Sequence, residues 1–279
     1  MCRWLAYSGT PIPLASLISR PENSLIHQSR ASRLGYEAVN ADGFGVGWYA
    51  DGNSAPALFR SLQPAWADPN LEDLAEHVVS GHFVAHVRAT TGTPVQPTNC
   101  HPFRHGNWLW AHNGLIRDFA AVKRDLVLAI APDLFPLIQG TTDSEVMFHL
   151  ALTFGLQDDP IAAVAAMAGF VEEVGRAHGV EHPLQMTVVT TDGESTWAFR
   201  YSSERESRSL FFTRDARTLR ALHPEIERLQ GISDETRLVV SEPLVALEDV
   251  WVEMPEAHVG VVRPGEAHLL PFAPVPSAT

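Results

Sequence analysis

Cysteine is nearly absent, with two residues, Cys2 and Cys100, among 279. A disulfide scaffold needs several closely spaced pairs, and the N-terminus lacks the charged segment running into an apolar one that marks a secreted chain. Two free thiols in a cytoplasmic protein are therefore expected, with a single Cys2 to Cys100 disulfide as the alternative. Positive charge is also scarce: 20 Lys and Arg against 33 Asp and Glu give a formal net charge of -13. Nucleic acid and anionic membranes both require clustered cations, so neither is an expected partner. No apolar run reaches the roughly 20 residues that cross a bilayer. Internal repeats and flexible linkers are missing too.

What remains is a chain with 45% hydrophobic residues, enough for a packed core. Strand-like alternation marks residues 44–49, 82–88, 108–112, 186–190 and 196–200, with late candidates at 238–241, 251–254 and 259–262. Helical spacing joins Leu71, Leu74 and Val78; Leu115, Phe119, Val122 and Leu126; Val146, Met147, Leu150 and Phe154; and the alanine-rich stretch 161–174. Strands, then helices, then strands make an α+β pattern. One domain over residues 2–270 is expected, followed by a mobile proline-rich tail, 271–279.

Cys2 stands directly behind Met1, so loss of Met1 leaves one residue with both a thiol and a free α-amine. The amine titrates at about 7.7 to 8.0 and the thiol at about 8.5, a pairing suited to proton transfer between nucleophile and base. Position alone favours an ordinary frayed end. Further along, Gly43, Gly45 and Gly47 leave one strand face bare, open to another backbone or a ligand. Arg88 closes a strand and precedes Thr90, Thr91 and Gly92, where a guanidinium could hold a carboxylate; a surface salt bridge is the commoner fate. His112-Asn113-Gly114 follows a strand, so an amide and an unhindered backbone N–H emerge together as oxyanion donors, or else form an Asn-Gly turn. Thr142 and Glu145 suit a capping box, which places Asp143 in the first turn of a helix, either for the dipole or for a ligand ammonium. His82 with His86 and His101 with His105 have four-residue spacings, but outside a helix these make a poor zinc site.

In this order the motifs resemble the class II glutamine amidotransferases, whose glutaminase domains are N-terminal nucleophile hydrolases. The pattern is Cys2, Asp42-Gly43-Phe44-Gly45, His86-Val87-Arg88, His101-Pro102-Phe103, His112-Asn113-Gly114 and Thr142-Asp143-Ser144-Glu145. Ser241-Glu242-Pro243-Leu244 with Trp251 looks like the signature of the stand-alone branch, near the ergothioneine-pathway γ-glutamyl amidohydrolases. The resemblance implies a four-layer αββα sandwich of two mainly antiparallel sheets, and a division of labour. Cys2 would attack the γ-carboxamide, Asn113 and Gly114 would hold the oxyanion, Arg88 with Thr91 would grip the α-carboxylate, and Asp143 would take the α-ammonium, with His112 also against the substrate. Thr90 or the Gly92 backbone are alternatives to Thr91, because the run Ala89-Thr90-Thr91-Gly92-Thr93 departs from that of larger members. No cofactor and no metal are implied, and no acceptor domain fits the length. A free-standing amidohydrolase is expected; the alternatives are an ammonia-supplying subunit with a synthetase partner, or a glutamine-binding protein without turnover.

Overall fold

The computed structural model describes residues 2–34, 39–90, 92–225, 230–247 and 249–276. The chain enters β1 (Arg3–Pro13), passes through α1 (Ala15–Ile18) and α2 (Leu25–Arg30), and returns in β2 (Phe44–Trp48) and β3 (Ala57–Ser61). After α3 (Pro69–His77) come β4 (Val79–Val87), β5 (Phe103–His105) and β6 (Trp108–Ile116), then α4 (Phe119–Leu128), α5 (Asp143–Thr153) and α6 (Pro160–Ala177). The remainder is β7 (Leu184–Thr191), β8 (Thr196–Ser202), β9 (Phe211–Thr213), α7 (Ala216–Leu222), β10 (Arg237–Val240), β11 (Trp251–Glu253), β12 (His258–Arg263) and β13 (Glu266–Pro271). Among the described residues no helix is long and apolar enough to cross a membrane.

Two sheets result, one seven-stranded in the order β11-β9-β10-β1-β4-β2-β3, the other six-stranded in the order β13-β12-β8-β7-β6-β5. Their pairings are antiparallel. The period of two along each strand sorts side chains into three apolar layers. Leu5, Tyr7, Phe83 and Ala85 pack outward with Leu14, Ile18, Leu25 and Leu71 of the first helical layer. Trp4, Ala6 and Val84 face inward against Leu109, Ala111, Val189 and Ala198 of the other sheet. Trp110, Met186, Val188 and Phe199 face outward again, against Val122, Leu126, Met147, Leu150, Val164 and Val171 of α4, α5 and α6. The layers thus run helix, sheet, sheet, helix, as the resemblance implies.

Three expectations change. β1 is not a frayed end: it lies between β10 and β4 in the interior of its sheet. The His112-Asn113-Gly114 run does not leave a strand as a turn, because β6 continues to Ile116 and stays paired with β7 throughout, Asn113 opposite Thr187 and Gly114 opposite Met186. The tail is not loose at its start: Phe272 is buried against Phe199 and Tyr201, and the Val275 N–H donates to the Ala165 carbonyl at 2.9 Å.

The bare face of β2 is filled by chain. A Cβ on Gly45 would stand 2.2 Å from the His101 carbonyl oxygen, so the loop before β5 needs glycine there to lie flat on the strand.

Candidate active site

Cys2 takes its position from β1. In the pairing with β4, Arg3 stands opposite Val87 and Trp4 opposite His86, so Cys2 arrives at the level of Arg88 and Ala89. Its Sγ accepts from the Ala89 N–H at 3.3 Å and lies 3.4 Å from the Ala89 carbonyl. Burial pushes the thiol pKa up, and the Ala89 N–H and the charges of Arg88 and Arg3 offset this only in part. The resting sulfur is a thiol that needs a base. Cys100 is free as well, so the alternative disulfide is not formed.

Directly behind Cys2, the buried Glu242 secures the start of β1. Its carboxylate accepts from Arg3 Nε at 3.0 Å, Ser32 Oγ at 2.9 Å, Asn23 Nδ2 at 2.9 Å and the backbone N–H groups of Arg33 and Leu34. Arg3 in turn donates Nη1 to the Cys2 carbonyl at 2.9 Å. Burial alone would raise the Glu242 pKa, yet these donors outweigh it and hold the carboxyl below its ordinary range. Neighbouring Ser241 accepts the Trp4 N–H at 3.0 Å and receives the Asn113 amide at 3.0 Å. The Ser241-Glu242 pair was visible in the sequence as a signature, but the partners just named lie between 128 and 239 positions away, and no local pattern assigns it a role.

Cys2 opens onto a cavity of about 400 Å³, within the range of small-molecule sites. Arg88 forms one side. It is 3% exposed, and its Nη2 donates to Thr90 Oγ1 at 3.2 Å, Thr93 Oγ1 at 2.6 Å and the Pro94 carbonyl at 3.3 Å. These are neutral acceptors; among the described residues no carboxylate pairs with it. A buried cation without an anion is costly and expects one. Thr91 lies outside the described residues. Asp42 shapes the same loop by accepting the Thr90 N–H at 2.7 Å.

Asp143 forms the opposite side. Thr142 caps α5 by accepting the Glu145 N–H at 3.2 Å, which leaves Asp143 first in the helix. The Glu145 carboxylate does not reach back to Thr142 as a capping box requires. It accepts from Gln139 N and Gly140 N instead, fixing the approach to the helix one turn earlier. Asp143 takes backbone N–H groups from Ile116 at 2.9 Å and Ser144 at 2.8 Å, is half-buried and lines the cavity.

β6 closes the floor unevenly. His112 lines the cavity, but both its ring nitrogens are engaged: Nε2 donates to the Gln185 carbonyl at 3.4 Å, so Nδ1 accepts from the Ser144 hydroxyl at 2.8 Å. Gly114 lines it too, with φ +139°, and a Cβ there would sit 2.0 Å from the Gln185 carbonyl oxygen. Asn113 is not in the wall; it faces the other sheet and gives its amide to Ser241, with Oδ1 buried and unpartnered. Amide and glycine therefore do not emerge side by side at a strand end, since strand alternation sends them to different surroundings.

The histidines serve packing. His82 and His86 share one strand face about 13 Å apart by strand rise, and His82 meets Ser8 at 3.0 Å. His86 and His101 stack, with centroids 4.3 Å apart and their ring nitrogens unpartnered. No group of three or more His, Cys, Asp or Glu among the described residues is disposed to hold a metal ion. Burial, then the positive charge of Arg88, lowers the His86 pKa to about 3; burial and neighbouring His86 lower that of His101 well below its ordinary value, and burial lowers His112 despite Asp143. The unfolded chain takes up these protons near 6.5 and the folded chain does not, so stability falls with pH from about 6.5 downward. His86 alone removes about 2 kcal/mol by pH 5. Urea midpoints measured at pH 7.5 and 5 should differ accordingly, with a shallower decline in His86→Phe; a midpoint that ignores pH over this interval contradicts the neutral assignment.

Comparisons with known proteins give the chain its family. The family described as glutamine amidotransferases class-II matches residues 20–278. The "Probable glutamine amidotransferase DUG3" of Saccharomyces cerevisiae is 33% identical over 94% of this chain and 82% of its own length. The gamma-glutamyl-hercynylcysteine sulfoxide hydrolase of Mycolicibacterium smegmatis is 32% identical over 70% of this chain and 81% of its own. Among solved structures, a glutamine aminotransferase class-II domain protein from Silicibacter pomeroyi superimposes with a TM-score of 0.74 at 32% identity, covering 98% of this chain and all of the other. The glutamine phosphoribosylpyrophosphate amidotransferase of Bacillus subtilis, 15% identical with a TM-score of 0.64, shares the fold over 49% of its length. With a family match across most of its residues and relatives above 30% identity, the chain belongs to the class II glutamine amidotransferases.

Proposed function

We propose that this chain is a free-standing amidohydrolase that cleaves the amide of a γ-glutamyl compound, glutamine or a larger conjugate, through a thioester on Cys2. The observation that carries the reading is a cavity with Cys2 in its wall, a buried guanidinium with no paired carboxylate among the described residues, and a half-buried Asp143 carboxylate held by backbone N–H groups. Arg88 and Asp143 complement the carboxylate and ammonium of an α-amino acid, whose γ-amide would then reach Cys2.

With Met1 removed, the Cys2 amine takes the thiol proton as sulfur attacks the amide carbon. The oxyanion is held by the Gly114 N–H in the cavity wall, while Asn113, turned toward the other sheet, ties β6 to Ser241 and through it to Trp4 beside the nucleophile. The ammonium returns its proton to the leaving amine, the C–N bond breaks, and water cleaves the thioester with the amine again as base. Thr90 and Thr93 orient Arg88 in the place foreseen for Thr91, and His112 holds the floor through Ser144 and Gln185. No step requires a cofactor. The hydrolase relative, whose name specifies a γ-glutamyl conjugate, favours a substrate larger than glutamine. Residues 2–270 work as one domain, and the two free thiols suit the cytoplasm.

The test is glutamate release by the isolated chain from glutamine and a set of γ-glutamyl amides and peptides, with mass spectrometry confirming that Met1 is gone. Turnover of at least one is expected. Activity appearing only with an added synthetase would favour the ammonia-supplying subunit, and silence in both conditions from a processed chain would reject hydrolysis.

A further inference from the structure

Asn99 is fully buried in the loop between β4 and β5, and its side chain reaches toward both halves of the cavity. Toward Arg88, its Nδ2 donates to the Pro94 carbonyl at 2.9 Å, the same oxygen that accepts Arg88 Nη2 at 3.3 Å. Toward α5, its Nδ2 donates to Thr141 Oγ1 at 3.1 Å and its Oδ1 accepts the Thr141 N–H at 2.9 Å. Thr141 lies two residues before Asp143. Gln96 Nε2, at 3.3 Å from Oδ1, completes the set. The joint is tight: a Cβ on Gly140 would stand 2.5 Å from Asn99 Oδ1, and Glu145 holds Gly140 from the other side.

Arg88 belongs to the first sheet and Asp143 to the helix layer over the second. Asn99 therefore connects two groups that the sandwich itself holds only through separate sheets. We infer that Asn99 is a positioning residue that fixes the span between Arg88 and Asp143, so that the site selects a substrate bearing carboxylate and ammonium on one carbon over a substrate bearing either alone. This rests on the head-group reading above. A single amide hydrogen-bonded on both sides transmits position because it has no slack: both its polar atoms are engaged and the residue is fully buried.

The measurement compares three compounds on the wild type, Asn99→Ala and Thr141→Val. γ-Glutamyl-p-nitroanilide is the substrate carrying both charges; 4-aminobutanamide, lacking the carboxylate, and 4-carbamoylbutanoate, lacking the ammonium, are competitive inhibitors. In Asn99→Ala, KM for the doubly charged substrate should rise about tenfold, with kcat within about twofold and the inhibition constants of the singly charged compounds unchanged. Thr141→Val, which keeps Asn99 and loses one of its bonds, should shift the same quantity in the same direction by less. Equal weakening of all three compounds would reduce Asn99 to a loop support and overturn the inference, as would no change in any. A processed wild type that neither turns over the anilide nor binds the two inhibitors would overturn the head-group reading, a failure seen in the parent protein and not in the variant.

Discussion

Cys2→Ala should lose glutamate release by on the order of 10⁴-fold or more in kcat, because the variant has no atom with which to form the thioester. Binding should survive: Arg88 and Asp143 keep their own supports, Thr90 and Thr93 for one and the backbone of Ile116 and Ser144 for the other. Calorimetry with the intact substrate on Cys2→Ala should therefore report a complex that does not decay. Cys100→Ala should leave turnover untouched, since Cys100 is buried with its sulfur toward the Ser61 and Gln96 carbonyls. The thiol pKa is raised by burial, so the pH dependence of kcat/KM should reflect the base and climb toward a plateau above about 8, where the α-amine is neutral. Unaltered turnover in Cys2→Ala, or equal loss in Cys100→Ala, would remove Cys2 from the chemistry.

Arg88→Ala carries the next largest effect, a fall in kcat/KM on the order of 10²- to 10³-fold for substrates bearing an α-carboxylate. For decarboxylated analogues the loss should be small. Arg88→Lys should restore little, because an ammonium cannot reproduce the planar fork that Thr93 and Pro94 orient. Stability should move the other way. A buried guanidinium with neutral partners is held at a cost, so Arg88→Met should melt at the same temperature as the parent or above it while being nearly inactive. Kinetics and thermal melts on the same preparations decide this; parallel losses of stability and activity would make Arg88 a structural residue.

Much of the helix layer was legible because α3 and α6 each turn an apolar stripe inward at helical spacing, while α5, buried all round from Ser144 to Leu152, is announced by its Thr142 cap and the apolar run behind it. β1 was not. Trp4, Leu5, Ala6 and Tyr7 are buried on both faces, so the alternation that reveals a strand is missing where the strand matters most. Asn113-Gly114 reads locally as a turn, and pairing with Thr187 and Met186 overrides it. Arg88, Asp143 and Cys2 could be nominated because each chemistry has its own residue type. Asn99, Thr93 and Glu242 could not, since their importance lies in partners brought by folding. Asn99 meets Thr141, and Glu242 meets Arg3, without any short-range trace of either.

The position of β1 also sets an order of events during synthesis. Residues 3 and 4 are made long before their partners on this side: Trp4 bonds Ser241 and Arg3 bonds Glu242, some 239 residues later. At 5 to 20 residues per second that interval is roughly 12 to 50 seconds. Through that time β1 has β4 to pair with but not β10, so its first residues lack the neighbours on one side only. Pairing of β10 beside β1 covers that side and brings Ser241 and Glu242 against Trp4 and Arg3, so the surroundings of the nucleophile are complete only once nearly the whole chain has been made.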